Sequence, residues 1–78
     1  MAMNYDSLNT WIKKLNNTKP YRMVLKNGNG FYEVVFLYNQ YHYSDKLLLR
    51  DMDNEIECQK KILNMCNVFE KNFKLLKF

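Results

Sequence analysis

Along the chain, apolar residues first recur at helical spacing, then alternate in twos, then return to helical spacing. This periodicity predicts a helix, a group of strands and a second helix, in that order. From Tyr5 the positions Tyr5, Leu8, Trp11, Ile12 and Leu15 form one stripe, with Asp6, Asn9, Thr10, Lys13, Lys14 and Asn16 on the other side and Asn4 placed as an N-cap. The stretch Asn16-Asn17-Thr18-Lys19-Pro20 ends that helix, because a residue before proline disfavours helix and asparagine suits turns. Tyr21, Met23 and Leu25 then alternate with Arg22, Val24 and Lys26, the period of a half-buried strand.

The only two glycines, Gly28 and Gly30, follow inside Asn27-Gly28-Asn29-Gly30. Asn-Gly supplies the positive φ angles of a tight hairpin, so a second strand is expected from Phe31. That strand, Phe31 to Tyr38, is apolar on both faces except for Glu33. Asn39-Gln40 turns it into a third strand within Tyr41 to Leu49. A polar break, Arg50 to Asn54, offers Asp51 and Asp53 as N-caps, with Glu55 and Glu57 in the first turn where the helix dipole favours acid. The last helix is expected to reach about Leu76, with Cys58, Ile62, Met65, Cys66, Phe69, Phe73 and Leu76 as its apolar stripe. At that length it would span roughly 34 Å and overhang the body of so small a domain. The expected fold class is therefore α+β: one α-β-β-β-α domain over residues 4–78, a three-stranded antiparallel sheet with both helices on one face.

Composition narrows the class. A 47% hydrophobic and 15% aromatic chain with one proline is folded, not disordered. At 78 residues its core supports a net stability of only a few kcal/mol. Cys58 and Cys66 fall on one helix roughly 12 Å apart, beyond disulfide reach, and read as reduced core thiols. With neither a signal-peptide pattern nor an apolar run of membrane-spanning length, an intracellular protein, cytoplasmic or nuclear, is expected, without membrane contact. Met1-Ala2 ahead of Met3 reads as two added residues, and the pattern is equally compatible with a start at Met3 and with a fragment of a longer protein.

Catalytic chemistry is sparse in this pattern. His42 stands among tyrosines with no second histidine or nearby cysteine, so a strand histidine is expected rather than a metal ligand or general base. The cysteines lack a base partner, and no helix follows the glycines as a phosphate loop requires. No catalytic residue, metal, cofactor or small-molecule substrate is expected. The net charge of +4 has more content, because Lys13, Lys14, Lys19, Arg22 and Lys26 cluster in the first third as candidate phosphate contacts. Tyr38, Tyr41 and Tyr43 with Lys46 and Arg50 suggest a base-stacking surface, while tyrosines at period two equally build a sheet face.

The segments Tyr5-Asp6-Ser7-Leu8-Asn9-Thr10-Trp11 and Lys19-Pro20-Tyr21, and the order and spacing of elements around them, resemble double-stranded-RNA-binding domains. Gly30 to Leu37, the variable third strand, and the helix from Met52 through Cys66 to Leu75-Leu76 are most similar to the divergent branch found in Dicer, its dimerisation domain. The resemblance covers nearly the whole chain as a pattern, without a long identical run. It implies a non-catalytic module of RNA silencing, used mainly for protein pairing and only weakly for duplex RNA. Two departures limit the RNA role. The family's lysine-rich start of the last helix is here Asp53-Asn54-Glu55-Ile56-Glu57, which repels phosphate, and its Pro-His between strands one and two is replaced by Asn27-Gly28-Asn29-Gly30.

The expected contact surface is the sheet face that the helices leave open, with Phe31, Glu33, Val35 and Leu37 joined by Tyr41 and Tyr43 from the third strand. A homodimer or another protein partner would cover it. Small Lys/Asn-rich chains of this layout also resemble phage or viral inhibitors of the anti-CRISPR kind, which occupy a host defence protein's binding surface; that is the alternative expectation.

Overall fold

The computed structural model describes residues 2–75. Helix α1 spans Tyr5–Asn16, and strands β1, β2 and β3 span Arg22–Asn27, Phe31–Tyr38 and Tyr41–Leu48. A 3-10 turn over Leu49–Asp53 leads into helix α2, Glu55–Asn72. The sheet is antiparallel, open and ordered β1-β2-β3, giving the α-β-β-β-α architecture of the α+β class.

The start of α1 follows from its cap. The Asn4 side chain accepts the Ser7 N–H at 2.8 Å while the Ser7 hydroxyl accepts the Asn4 N–H at 3.1 Å, which satisfies two otherwise orphaned donors. Strand register then sorts the side chains into two faces. Met23 pairs with Phe36, Leu25 with Val34, Tyr43 with Phe36 and Leu47 with Tyr32, and directly opposed residues share a face. Those residues join Leu8 and Ile12 of α1 and Cys58, Ile62, Met65, Cys66 and Phe69 of α2 in one core, so both helices lie on the same side of the sheet. Phe69 is its hub, with ring centroids 4.9 Å from Tyr21, 5.0 Å from Phe36 and 4.7 Å from Phe73. Trp11, expected in the interior, is only half-buried at the margin of this cluster.

The two outer strands are partly capped by side chains. The Asn16 amide behaves as a substitute neighbouring strand for β1: its Oδ1 accepts the Met23 N–H at 2.7 Å and its Nδ2 donates to the Met23 carbonyl at 2.9 Å. The Tyr5 hydroxyl donates to the Leu25 carbonyl at 3.2 Å, next along the same edge. On β3, Asp51 Oδ2 takes the Leu48 N–H at 2.9 Å, and Asp45 Oδ1 takes the Lys46 N–H at 2.8 Å. Such caps remove part of the donors and acceptors that another chain would otherwise pair with.

Two local expectations change. Asn54, not Asp51 or Asp53, caps α2, accepting the Glu57 N–H at 3.1 Å; Asp51 is already held by Leu48 and by Lys61 Nζ at 2.6 Å. In the first hairpin the Asn29-Gly30 pair supplies the expected positive φ, at 80° on Gly30. Gly28 is required for space, because a Cβ there would lie 2.5 Å from the Phe31 ring. Finally, α2 stops at Asn72 and does not overhang. Lys74 adopts φ 58°, Leu75 N–H returns to the Glu70 carbonyl at 2.7 Å and Lys74 N–H to that of Lys71 at 3.2 Å, a Schellman closure that tucks Leu75 into the core. Leu76, assigned to that helix from sequence, lies outside the described residues, as do Lys77 and Phe78.

Because Phe69 joins both helices' shared core to four other rings, Phe69→Ala is expected to cost about 3–5 kcal/mol, most of the stability of so small a domain. A urea or thermal melt checks this; a midpoint close to that of the parent chain would contradict the packing.

Candidate interaction surface

The helix-free face is a grid set by register. Arg22, Val24 and Lys26 of β1 lie opposite Leu37, Val35 and Glu33 of β2, which in turn lie opposite His42, Ser44 and Lys46 of β3; Phe31 faces Leu48 at one end. No helix contributes to it, since the core cluster lies on the other side. Val35 is nonetheless only 2% exposed. Its neighbours by register include Arg22, Lys26 and Lys46, whose aliphatic stems cover apolar surface while their charged ends reach water. Leu37, at the more open end, is 37% exposed. The accessible apolar area is thus centred on Leu37 and Val24 and is narrower than the sequence pattern suggests.

Electrostatics divide this face. Glu33 lies between Lys26 and Lys46 across the strands, where opposite charges stabilise the pairing by a few tenths of a kcal/mol up to about 1 kcal/mol. Lys46 Nζ sits 4.8 Å above the Phe31 ring, so Phe31 is capped by its own chain. Counting Arg22, three cations face one acid.

The residues proposed from sequence as one protein contact do not all converge. Phe31, Glu33, Val35 and Leu37 share the helix-free face. Tyr41 and Tyr43 do not, and their placement is corrected here. A two-residue turn pairs Tyr41 with Tyr38 and Tyr43 with Phe36, which puts both rings on the helix side. There Tyr41 packs 5.1 Å from Phe73, and Tyr43 lies 6.0 Å from Phe36 and 6.1 Å from Phe69. The β3 residues that join the open face are His42, Ser44, Lys46 and Leu48.

The proposed phosphate contacts separate too. Lys13 and Arg22 line one open groove of about 530 Å³ with Asn16, Asn17 and Tyr21, at the corner between the end of α1 and the start of β1. Lys14 is exposed one residue along α1, and Lys26 lies four residues along β1, roughly 13 Å from Arg22. Lys19 is committed elsewhere, its Nζ 2.7 Å from Glu70 Oε2. Among the described residues Lys13, Lys14, Arg22 and Lys26 enter no ion pair.

Glu70 is the anchor between the α1–β1 loop and α2. It accepts from both Lys19 Nζ and the Tyr21 hydroxyl. Burial by itself pushes the Glu70 carboxyl up, but the two hydrogen bonds and the lysine charge outweigh it and leave the group below its ordinary value. Tyr21 is pushed far up, by burial and by its bond to Glu70, and remains a donor. Asp51 is held low by its bond to Lys61, with the Leu48 N–H assisting.

Candidate reactive groups have other positions. Cys58 and Cys66 are buried free thiols whose pKa burial pushes up, which keeps them protonated. His42 is exposed on the helix-free face opposite Leu37. Among the described residues no three His, Cys, Asp or Glu side chains group to hold a metal ion, and no helix is long and apolar enough to cross a membrane. No family model, curated protein or solved structure matches this chain.

The depressed carboxyls give a pH dependence of definite sign. A group whose folded pKa lies below its unfolded value contributes stability that is present above the unfolded value and is lost as pH falls through the folded one. Stability is therefore expected to decline on acidification below about pH 4.5, the ordinary Glu value. Glu70→Gln should lower stability at neutral pH and flatten that acid limb, and adding Asp51→Asn should flatten it further. Urea midpoints measured from neutral to acid pH check this; an acid limb of unchanged slope in Glu70→Gln would contradict the anchor.

Proposed function

We propose that this chain is a non-catalytic interaction module, a divergent relative of double-stranded-RNA-binding domains, which docks a protein partner on the helix-free face of its sheet. The observation that carries the reading is the distribution of apolar groups over the two faces. The helices consume one side of β2, and on the other side the exposed Leu37 and half-buried Val24 flank the buried Val35 inside a rim of Arg22, Lys26, Glu33, His42, Ser44 and Lys46. An apolar centre within a polar rim is the anatomy of a protein interface.

Duplex RNA is the second reading, supported by the cations at Lys13, Lys14, Arg22 and Lys26, which have no ion-pair partner among the described residues. Two features weigh against it as the main role. The aromatic rings that would stack on exposed bases, Tyr38, Tyr41, Tyr43 and Phe73, pack on one another or on the core on the side away from Arg22 and Lys26. The start of α2, where the RNA-binding form of this fold presents lysines, carries Glu55 and Glu57.

Face specificity tests the proposal. A photo-crosslinking amino acid at position 37 is expected to give a discrete protein adduct in cells, and the same group at position 63, exposed on α2, should not. Equal labelling from both positions, or nucleic acid as the main adduct at 37, would contradict it.

A further inference from the structure

We infer that the groove at the α1–β1 corner is a carboxylate pocket, and that it takes acidic side chains of a protein partner whose apolar residues cover Leu37. The inference rests on the proposed protein-docking role of the sheet face and adds the chemistry of the partner.

The groove's polar groups are not equally available. Asn16 is spent on Met23, and the Tyr21 hydroxyl is spent on Glu70, so Tyr21 offers only the side of its ring. Lys13, Arg22 and Asn17 remain. They come from helix, strand and connecting loop, and the two basic side chains have no acid paired to them among the described residues. The acid nearest by connection, Glu70, is neutralised by Lys19. A carboxylate accepts hydrogen bonds only, and guanidinium binds it through two parallel bonds, so the set of donors fits that ligand.

The neighbouring helix end sets a limit on the charge. A C-terminus carries partial negative charge that disfavours anions. Here the carbonyls of Lys14, Leu15 and Asn16 are already taken by the N–H groups of Asn17, Thr18 and Lys19, at 3.2, 3.0 and 3.3 Å, which moderates the effect. A singly charged carboxylate meets less of this opposition than a dianionic phosphate.

Continuity with the sheet face decides between protein and nucleic acid. Arg22 belongs to both surfaces: it lines the groove and lies directly opposite Leu37, beside Val24, on the helix-free face. A polypeptide presents carboxylates and alkyl groups a few ångströms apart, whereas a phosphodiester backbone offers nothing apolar to that patch. Charge argues against a second copy of this chain as the partner, because Arg22, Lys26 and Lys46 outnumber Glu33 and would face themselves.

The test is a titration of the full chain, followed by amide resonances at low salt, with a blocked peptide of alternating glutamate and leucine and, separately, a short duplex RNA. The peptide is expected to shift Asn17, Arg22 and Leu37 together and saturably. Lys13→Ala with Arg22→Ala, both exposed positions, should keep the dispersed spectrum of a folded chain and lose at least about tenfold in affinity. Leu37→Ser should abolish the shifts at Val24 and Val35 while the groove shifts persist. Peptide shifts at Leu37 that survive the double substitution would overturn the pocket and leave the docking face standing. Groove shifts without any at the sheet face, in the parent chain, would overturn the docking face as well as the coupling proposed here. Tighter binding of duplex RNA through the same residues, or no shift with either probe, would overturn the inference.

Discussion

Two helices of this size cover one side of a three-stranded sheet, and the rest of the molecule is organised around the side they leave uncovered. β2 is the central strand and apolar on both faces, so each face needs its own solution. On the helix side Val34 and Phe36 vanish beneath α1 and α2. On the other, Val35 is buried by the sheet's own side chains, chiefly those adjacent on the flanking strands. Long cations suit that task, since their stems screen a valine while their heads stay hydrated. The basic rim and the sheltered apolar centre are therefore one structural feature, and it is to this feature that the proposed acidic partner is matched.

The polar locks explain how a small core holds two helices in register with the sheet. The Asn16 amide fixes the end of α1 to β1, Glu70 joins α2 to the loop after α1 through Lys19 and Tyr21, and Asp51 joins the 3-10 turn to both Leu48 and Lys61. The Asn16 and Asp51 locks join elements consecutive in the chain and Glu70 joins distant ones, and each satisfies groups that burial would otherwise penalise. Among the described residues no buried side-chain nitrogen or oxygen lacks a partner. The same locks leave Lys13, Arg22 and Asn17 uncommitted, which is why the groove at that corner keeps its donors.

Much of the fold was legible because local rules and tertiary packing agree. The alternation of Tyr21, Met23 and Leu25 against Arg22, Val24 and Lys26 gave the faces of β1, and Asn4 marked the start of α1. Parity misplaced Tyr41 and Tyr43, although a two-residue turn pairs the residues flanking it and so carries Tyr41 to the face of Tyr38. The end of α2 was hidden for a different reason: its apolar stripe continues in sequence, and the stop uses a lysine in the left-handed conformation where glycine is the usual signal. Asp51 and Asp53 are the caps the sequence pattern suggests; Asp51 is instead held by Lys61 and the Leu48 amide, and Asn54 takes the cap. The groove itself joins Lys13 and Arg22 from two elements, and Lys19, part of the same basic run, is withdrawn by an acid 51 residues away. No local pattern carries that information.

The account depends most on which side of the sheet Val35 occupies, and methyl-to-ring proton contacts measured by nuclear Overhauser spectroscopy report it directly. The predicted result is Val35 methyl contacts to Val24 and Leu37, with Phe69 ring contacts confined to the opposite side through Tyr21, Phe36, Tyr43 and Phe73. Val35 methyl contacts to the Phe69 or Tyr43 rings would place it beneath the helices and contradict both the fold's sidedness and the surface built on it.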